Sequence, residues 1–561
     1  MTKMKLMVSE RWRELSQKDG WPEILESTAH KYPDRDALVF YGKRVTYKEY
    51  LNRITALAKG LYSIGVRKGT HVGLWMTNRP EWCYARLAVY KIGAVLVPLH
   101  TRYRAEELKY VLRQSDTEVL LMEDKFLGKI DALSVVEKLI PGLRTFGRGD
   151  IKSPEFPLLR SVVRLGETRH GQLSSYADLV ERGKSVSDDE VRASHEPQDT
   201  IHIIYTSGTT GFPKGVETPS SCNIAFCTIR AELFNLDDNS RFLNAIPFFG
   251  NIGMSNNTLP LLDGGSLVVA GPQFDAKEVL ELIEKERVTH TNFVPTMLID
   301  ILNHPGAEKY DLSSLKRIEC SGAPVPQELI RKVKERLGIS LMNAYGLSEA
   351  SGLSTWVPYG DTPDHVEKSV GLPLPHCEAA ILAPTTDEKL PANVAGEICT
   401  REVFPGSQHM KGYYKQPQLT SECIRDGWLH SGDLGYMDDD GYVYITGRLK
   451  DMFTVGGFNV SPPEIENFLM SHPDVQNAAV VGVPDERLGE VGAAFVKLKE
   501  GSKSKENDLI KFCRGQIADI KVPRYVFFVT ELPVTPQGKV QKFKLREKAV
   551  EEINKNQAKG G

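Results

Sequence analysis

Short apolar runs and helical periodicities take turns through most of this chain, and that alternation narrows its fold more than any other feature. His71–Trp75 (HVGLW) reads as a buried strand, and Glu81–Gly93 as a helix followed by the strand Ala94–Val97. Thr46–Gly60 spaces its apolar residues at helical intervals, and the helix Ala276–Arg287 runs into the strand Val288–Phe293. Strands separated by helices pair in parallel with the helices on the sheet faces, so the expected class is α/β. At one domain per roughly 100–200 residues, a chain of 561 residues holds about three to five units. Such a length buries several cores without disulfide or metal staples.

The clearest boundary falls near residue 450. Gly435–Thr446 alternates as a hairpin around the turn Asp438-Asp439-Asp440-Gly441. Beyond Lys450 come the Gly456-Gly457 turn and then Pro462-Pro463, which opens a helix over Glu464–Met470. Residues 1–449 are therefore expected to form a large composite body and residues 450–561 a small α/β unit. Gly147–Arg169, with Pro, Gly and scattered charge, and Ser185–Asp199, polar and acidic, read as exposed insertions.

Composition excludes several classes of function. Seventy basic against 73 acidic residues leave a net charge of −3, which points to neither nucleic acid nor an anionic membrane. The eight cysteines include no C-x-x-C pair, which fits a reducing compartment and neither a disulfide frame nor a zinc knuckle. The N-terminal MTKMKLMVSERWREL lacks an apolar signal core, and no run reaches the roughly 18 apolar residues of a membrane span. The final Lys559-Gly560-Gly561 is not a peroxisomal tripeptide. A cytoplasmic protein, monomer or homodimer, is expected. The charge is uneven, with 13 Lys and Arg against 6 Asp and Glu from Lys497 to Lys548. That excess is either a solvated face or an attraction for phosphates, and peripheral contact with a membrane stays open.

The densest chemistry lies in Tyr205-Thr206-Ser207-Gly208-Thr209-Thr210-Gly211-Phe212-Pro213-Lys214-Gly215, directly after the strand Ile201–Tyr205. Glycines let backbone N–H groups curl toward an anion, hydroxyls add donors, and a lysine neutralises phosphate charge. Composition alone equally describes a surface loop. The loop is not a Walker A sequence, because Lys214 follows proline and precedes Gly215. It resembles instead the signature loop of the adenylate-forming superfamily of acyl-CoA synthetases, aryl-CoA ligases, luciferases and peptide-synthetase adenylation domains.

The rest of the chain is similar to that family in motif order, from Val45-Thr46-Tyr47 to about Arg546. The resemblance implies a large multi-subdomain body of α/β sheets plus a small β-barrel, with a mobile α/β C-terminal domain. It implies that Thr206–Gly211 and Lys214 hold ATP phosphates, and that Ser321-Gly322-Ala323-Pro324 lines adenine and the acyl pocket. In Asn343-Ala344-Tyr345-Gly346-Leu347-Ser348-Glu349, Tyr345 would stack on adenine, Ser348 donate to the α-phosphate and Glu349, with Thr206, hold Mg²⁺. Asp433 would accept the ribose hydroxyls, Arg448 contact ribose or phosphate, and Lys450 act as the hinge. Gly456-Gly457-Phe458 would let the pantetheine arm of CoA pass. Lys539, in Thr535-Pro536-Gln537-Gly538-Lys539-Val540, matches the family's catalytic lysine.

For the acid itself, Phe249, Gly250, Gly253, Gly322 and Gly346 would line the pocket. Relatives often read Pro-x-Phe-His where this chain reads Pro247-Phe248-Phe249-Gly250, so a gating histidine is replaced by glycine. No Asp lies between Ser240 and Leu262 to pair a substrate ammonium, and no carrier domain follows residue 546, which weighs against a peptide-synthetase module. Thr101-Arg102-Tyr103-Arg104 and the hinge text are most similar to medium- or long-chain fatty acyl-CoA synthetases. The implied partners are a carboxylic acid, ATP with Mg²⁺, and CoA. The alternatives are an aryl- or alicyclic-acid CoA ligase, a stand-alone enzyme that loads a carrier protein, and a non-catalytic binding protein on this fold.

Overall fold

The computed structural model describes residues 6–126, 130–146, 151–166, 173–206, 213–323, 325–456, 458–534 and 540–560. Local rules place most elements where the sequence puts them. The first long helix starts at Tyr47 because Thr46 and Glu49 cap each other: Thr46 Oγ1 accepts the Glu49 N–H at 3.2 Å, and Glu49 Oε2 accepts the Thr46 N–H at 3.1 Å. Pro80 opens the helix Pro80–Lys91, and Pro462 opens Pro462–Met470.

Two large sheets carry the body. One orders its strands Gly412–Tyr413, Lys214–Pro219, Thr200–Thr206, Val95–Pro98, His71–Trp75, Val119–Met122, Ser161–Arg164 and Ser174–Ser175. Neighbours from Thr200–Thr206 onward are parallel, whereas Lys214–Pro219 is antiparallel to both of its neighbours. The second sheet has a parallel centre of Met342–Leu347, Arg317–Cys320, His290–Phe293, Arg241–Asn244, Ser266–Val269 and Asp36–Phe40, with antiparallel edges. One apolar core joins the two sheets through the helices Pro80–Lys91 and Ser220–Phe234. Each large side chain buried there is worth about 1.5–3 kcal/mol, which keeps the frame fixed while strand ends carry polar groups.

The body's expected small barrel is represented by an antiparallel sheet of Cys377–Leu382, Gly396–Glu402, Trp428–Met437 and Ile424–Arg425, with Val443–Arg448 paired to Trp428–Met437. The hairpin expected over Gly435–Thr446 is its last ladder, with Tyr436 opposite Tyr444. A further mixed sheet, Phe458–Val460, Phe453–Val455, Gly489–Leu498, Val475–Asp485 and Tyr525–Phe528, encloses its own core of Val480, Val496, Ile465 and Leu509.

One expectation fails. Gly147–Arg169 is not simply an exposed insertion, because Ser161–Arg164 is a fully buried parallel strand beside Val119–Met122. Its polar end misleads: Arg164 is buried because Asp124 Oδ1 accepts its Nε–H at 2.7 Å. Burying a charge with its partner removes the cost that made the segment look exposed.

Candidate active site

In open α/β sheets, ligands bind beyond the carboxyl ends of parallel strands. Ser321 follows the strand Arg317–Cys320, and Glu349 follows Met342–Leu347. Thr206 ends Thr200–Thr206 and pairs in register with Lys214, the first residue of the antiparallel strand Lys214–Pro219. The two ends of the phosphate loop are thereby pinned together. Ser207, Gly208, Thr209, Thr210 and Gly211 lie outside the described residues, as do Pro324, Gly457 and Lys539.

Glu349 sits in the short turn Ser348–Ala350. The Tyr413 hydroxyl donates to Glu349 Oε1 at 2.9 Å, and Lys214 Nζ lies 4.8 Å from the centre of the Tyr413 ring. One aromatic side chain thus joins the lysine of the loop to the candidate metal carboxylate. Burial, and then the Glu349 charge, hold the Tyr413 hydroxyl pKa far above its ordinary value, so it stays a donor. Tyr413 carries no signal in the sequence reading, because its partner Glu349 is 64 residues away.

A second group forms at the ribose candidate. Asp433 and Arg448 are paired across the antiparallel strands Trp428–Met437 and Val443–Arg448. Arg448 Nε lies 2.7 Å from Asp433 Oδ1, and the Tyr345 hydroxyl donates to Asp433 Oδ2 at 2.8 Å. Burial and the neighbouring Asp433 push the Tyr345 hydroxyl pKa well up. Behind Asp433, Glu397 Oε1 accepts the Gly432 N–H at 2.8 Å, and Glu397 Oε2 contacts His430 Nδ1 at 2.8 Å. Gly432 needs its left-handed φ of +70° for that turn. Glu397, Cys399 and His430 gather three metal-ligand atoms within 4.8 Å. Arg425 Nη2, however, lies 2.9 Å from His430 Nδ1, so a guanidinium stands where a cation would.

Gly346 is required by packing: a Cβ there would meet Gly352 O at 2.0 Å and Leu353 Cα at 2.4 Å. Asn343 is structural in its side chain, with Nδ2 donating to Ser369 O at 3.1 Å. Ala344 is buried, and Leu347 stands at the start of the Glu349 turn. Gly322 has φ +86° with only Val294 Cγ1 near a would-be Cβ, at 3.5 Å, while Ala323 beside it is exposed. Behind this turn, Glu319 Oε1 accepts the Ser321 Oγ–H at 2.7 Å, and Glu319 Oε2 accepts Arg230 Nη2–H at 2.6 Å with both side chains fully buried.

Around the acyl candidates, Gly253 cannot carry a side chain, since a Cβ would meet Pro247 O at 2.1 Å. Gly250 has room, with nothing nearer than Pro247 O at 3.7 Å. The Phe249 ring packs against His100, centroid to centroid 4.1 Å. Burial, then Arg102, lowers the His100 pKa to about 3, so this ring is neutral. Lys450 is exposed in the turn Leu449–Asp451, and Gly456, φ +57°, donates its N–H to Leu488 O at 2.8 Å.

The family model for the AMP-binding enzyme matches residues 25–414, and that for the AMP-binding enzyme C-terminal domain matches residues 464–539. YngI of Bacillus subtilis (strain 168), an acyl-CoA synthetase by name, is 41% identical over 538 residues, covering 95% of this chain and 97% of that protein. The medium-chain acyl-CoA ligase ACSF2, mitochondrial, of Bos taurus is 36% identical, covering 94% of this chain and 87% of its own. Among solved structures, the anthranilate CoA ligase AuaEII in complex with anthranoyl-AMP superposes with a TM-score of 0.84 at 27% identity, covering 97% of this chain and 99% of that one. The chain belongs to the family of AMP-binding enzymes, among its acyl-CoA synthetases.

Proposed function

We propose that the protein converts a carboxylic acid, ATP and CoA into acyl-CoA, AMP and pyrophosphate by way of an acyl-adenylate, and that the acid is a medium- or long-chain fatty acid. The observation that carries this reading is two side-chain groups that share the run Tyr345–Glu349: Lys214, Tyr413 and Glu349 for the phosphates, and Tyr345, Asp433 and Arg448 for the nucleoside. The acid class rests on the medium-chain relatives and on Gly250, where a Cβ would meet only Pro247 O, at 3.7 Å. An aryl or alicyclic acid is the second reading, favoured by the likeness to the anthranilate ligase.

A carboxylate is a poor electrophile until its oxygen becomes a leaving group. Attack of that oxygen on the α-phosphorus forms the acyl–O–P bond and expels pyrophosphate. Lys214 and the loop after Thr206 hold the β- and γ-phosphates, and Ser348 reaches the α-phosphate. Lys539 bridges the carboxylate and the α-phosphate, neutralising charge as it builds. Asp433 and Arg448 fix the ribose, so the attacking oxygen and the leaving group are held in line.

The donor set at Glu349 suits Mg²⁺: a carboxylate just past a strand end with one oxygen taken by Tyr413, where the phosphates of bound ATP would supply further oxygens. Glu349 and the Thr206 hydroxyl would hold the ion, which when bound neutralises phosphate charge. In the second step the CoA thiolate attacks the acyl carbon and AMP leaves. Here the unit 450–561 turns about Lys450, withdrawing Lys539 and bringing Gly456-Gly457-Phe458 to the site. A cytoplasmic location is proposed from the eight cysteines without a C-x-x-C pair, which suit a reducing compartment.

The test is a panel of fatty, aryl and alicyclic acids, with pyrophosphate and AMP release measured with and without CoA. Acid-dependent pyrophosphate release, with acyl-CoA only when CoA is present, is expected. Release that is independent of acid overturns the reading, and a carrier-loading enzyme would ignore free CoA.

A further inference from the structure

We propose that Tyr413 is the positioning residue of the phosphate end: its hydroxyl aims Glu349, its ring seats Lys214, and its short strand clasps the two together. The proposal rests on the roles given above to Lys214 and Glu349.

The clasp is continuous over five residues. Met410 donates its N–H to Glu349 O at 2.9 Å, Lys411 its N–H to Glu217 O at 2.9 Å, and Tyr414 its N–H to Gly215 O at 2.8 Å. Tyr413 itself pairs with Val216 in register. Main-chain bonds therefore tie this segment on one side to the strand that begins at Lys214 and on the other to the residue that carries the carboxylate. Within that frame the Tyr413 side chain reaches both functional groups, at 2.9 Å and 4.8 Å. It is 6% exposed, so its hydroxyl is not competing with bulk water for Glu349.

The two contacts do different work. A carboxylate whose Oε1 is held by a donor presents its other oxygen in a fixed direction, and outer-shell partners of this kind commonly change metal affinity 10–100-fold. The ring face attracts the ammonium electrostatically and keeps Lys214 from folding onto the bare carboxylate, where it would compete with a cation. Tyr413 thus separates two opposite charges that both have to face phosphate.

Two substitutions in the full chain take the contacts apart. Tyr413→Phe keeps the ring and removes the hydroxyl; Tyr413→Leu removes both. ATP binding is measured by calorimetry without acid, once with Mg²⁺ and once with EDTA, and half-saturating Mg²⁺ is read from acid-dependent pyrophosphate release. For Tyr413→Phe, half-saturating Mg²⁺ rises about 10-fold and Mg²⁺–ATP binding weakens about as much, while ATP binding in EDTA is unchanged. Tyr413→Leu also weakens ATP binding in EDTA, because Lys214 has lost its seat. A Tyr413→Phe protein with wild-type Mg²⁺ dependence overturns the proposal, as does a loss of ATP binding equal with and without Mg²⁺. If Tyr413→Leu does not fold, the Tyr413→Phe arms decide. The calorimetric arm uses no acid, so it decides on Tyr413 even if the proposed acids are wrong.

Discussion

The two ends of the proposed nucleotide site are built on different principles. At the proposed ribose end the charges already answer one another: Asp433 has Arg448 on one oxygen and Tyr345 on the other, and Glu397 holds the turn behind it. The adjoining Ser321 turn rests on the fully buried Glu319–Arg230 pair. At the proposed phosphate end, Lys214 and Glu349 both contact Tyr413, and Gly250, proposed for the acyl mouth, has room for a Cβ. A saturated end ties ligand contacts to folding, since each group also compensates another. An open end is free to spend its charges on the substrate. Substitutions should therefore cost stability at the first end and rate or selectivity at the second.

The largest expected effect tests the saturated end. Glu319→Ala strands the Arg230 guanidinium, which is 0% exposed, without its carboxylate. Breaking a buried pair from one side costs about 3–5 kcal/mol, so chemical denaturation should show a loss of that size. Replacing both partners with apolar residues of similar volume should recover much of it. A change below about 1 kcal/mol for Glu319→Ala would erase the distinction between the two ends.

Lys539→Ala tests the opposite claim. Adenylation should fall on the order of 10²–10³, by analogy with removing one oxyanion donor, while thioester formation from a supplied acyl-adenylate continues and the melting temperature holds. Equal loss in both half-reactions removes Lys539 from the first step. Lys450→Pro should give the reverse pattern, with thioester formation hit harder than adenylation, because proline would fix the torsion at the proposed hinge.

How much of this was legible in the sequence follows from distance along the chain. Thr206 and Lys214, or Tyr345 and Glu349, sit in short contiguous motifs whose spacing alone restricts them, and the hairpin from Asp433 to Arg448 is announced by its turn. Tyr413 with Glu349, 64 residues apart, and Arg230 with Glu319, 89 apart, share no local pattern. They meet only through tertiary packing, which sets the helix Ser220–Phe234 against the strand Arg317–Cys320 and the strand Gly412–Tyr413 against the turn Ser348–Ala350. The strand Ser161–Arg164 escaped for a related reason: its arginine reads as exposed until the Asp124 that neutralises it is placed beside it.

Asp433→Asn probes the saturated end more gently. The amide keeps the shape but removes the charge opposite Arg448, whose pKa is held up, against burial, by Asp433 and Asp451. The KM for ATP should rise about 10-fold, with a stability loss of about 1–2 kcal/mol, since a hydrogen bond to a charged group contributes about 1.5–3 kcal/mol. A change in KM with no change in stability would mean that Asp433 serves the ligand alone.

The smallest effect on the fold, and the sharpest separation of fold from selectivity, is expected at Gly250. Its backbone needs no special φ, and a Cβ would find only Pro247 O, at an ordinary 3.7 Å, whereas at Gly253 the same atom would stand 2.1 Å from that carbonyl. Gly250→Ala should thus leave stability within about 0.5 kcal/mol, the usual range for substitutions that create no clash or cavity. Gly253→Ala should cost several times more. Larger side chains at 250 would narrow the mouth beside Phe249 and His100, so Gly250→Leu should lower kcat/KM for bulky acids while sparing short ones. If Gly250→Leu instead lowers kcat/KM evenly for every acid, residue 250 acts on adenylation and not on the size of the acid admitted.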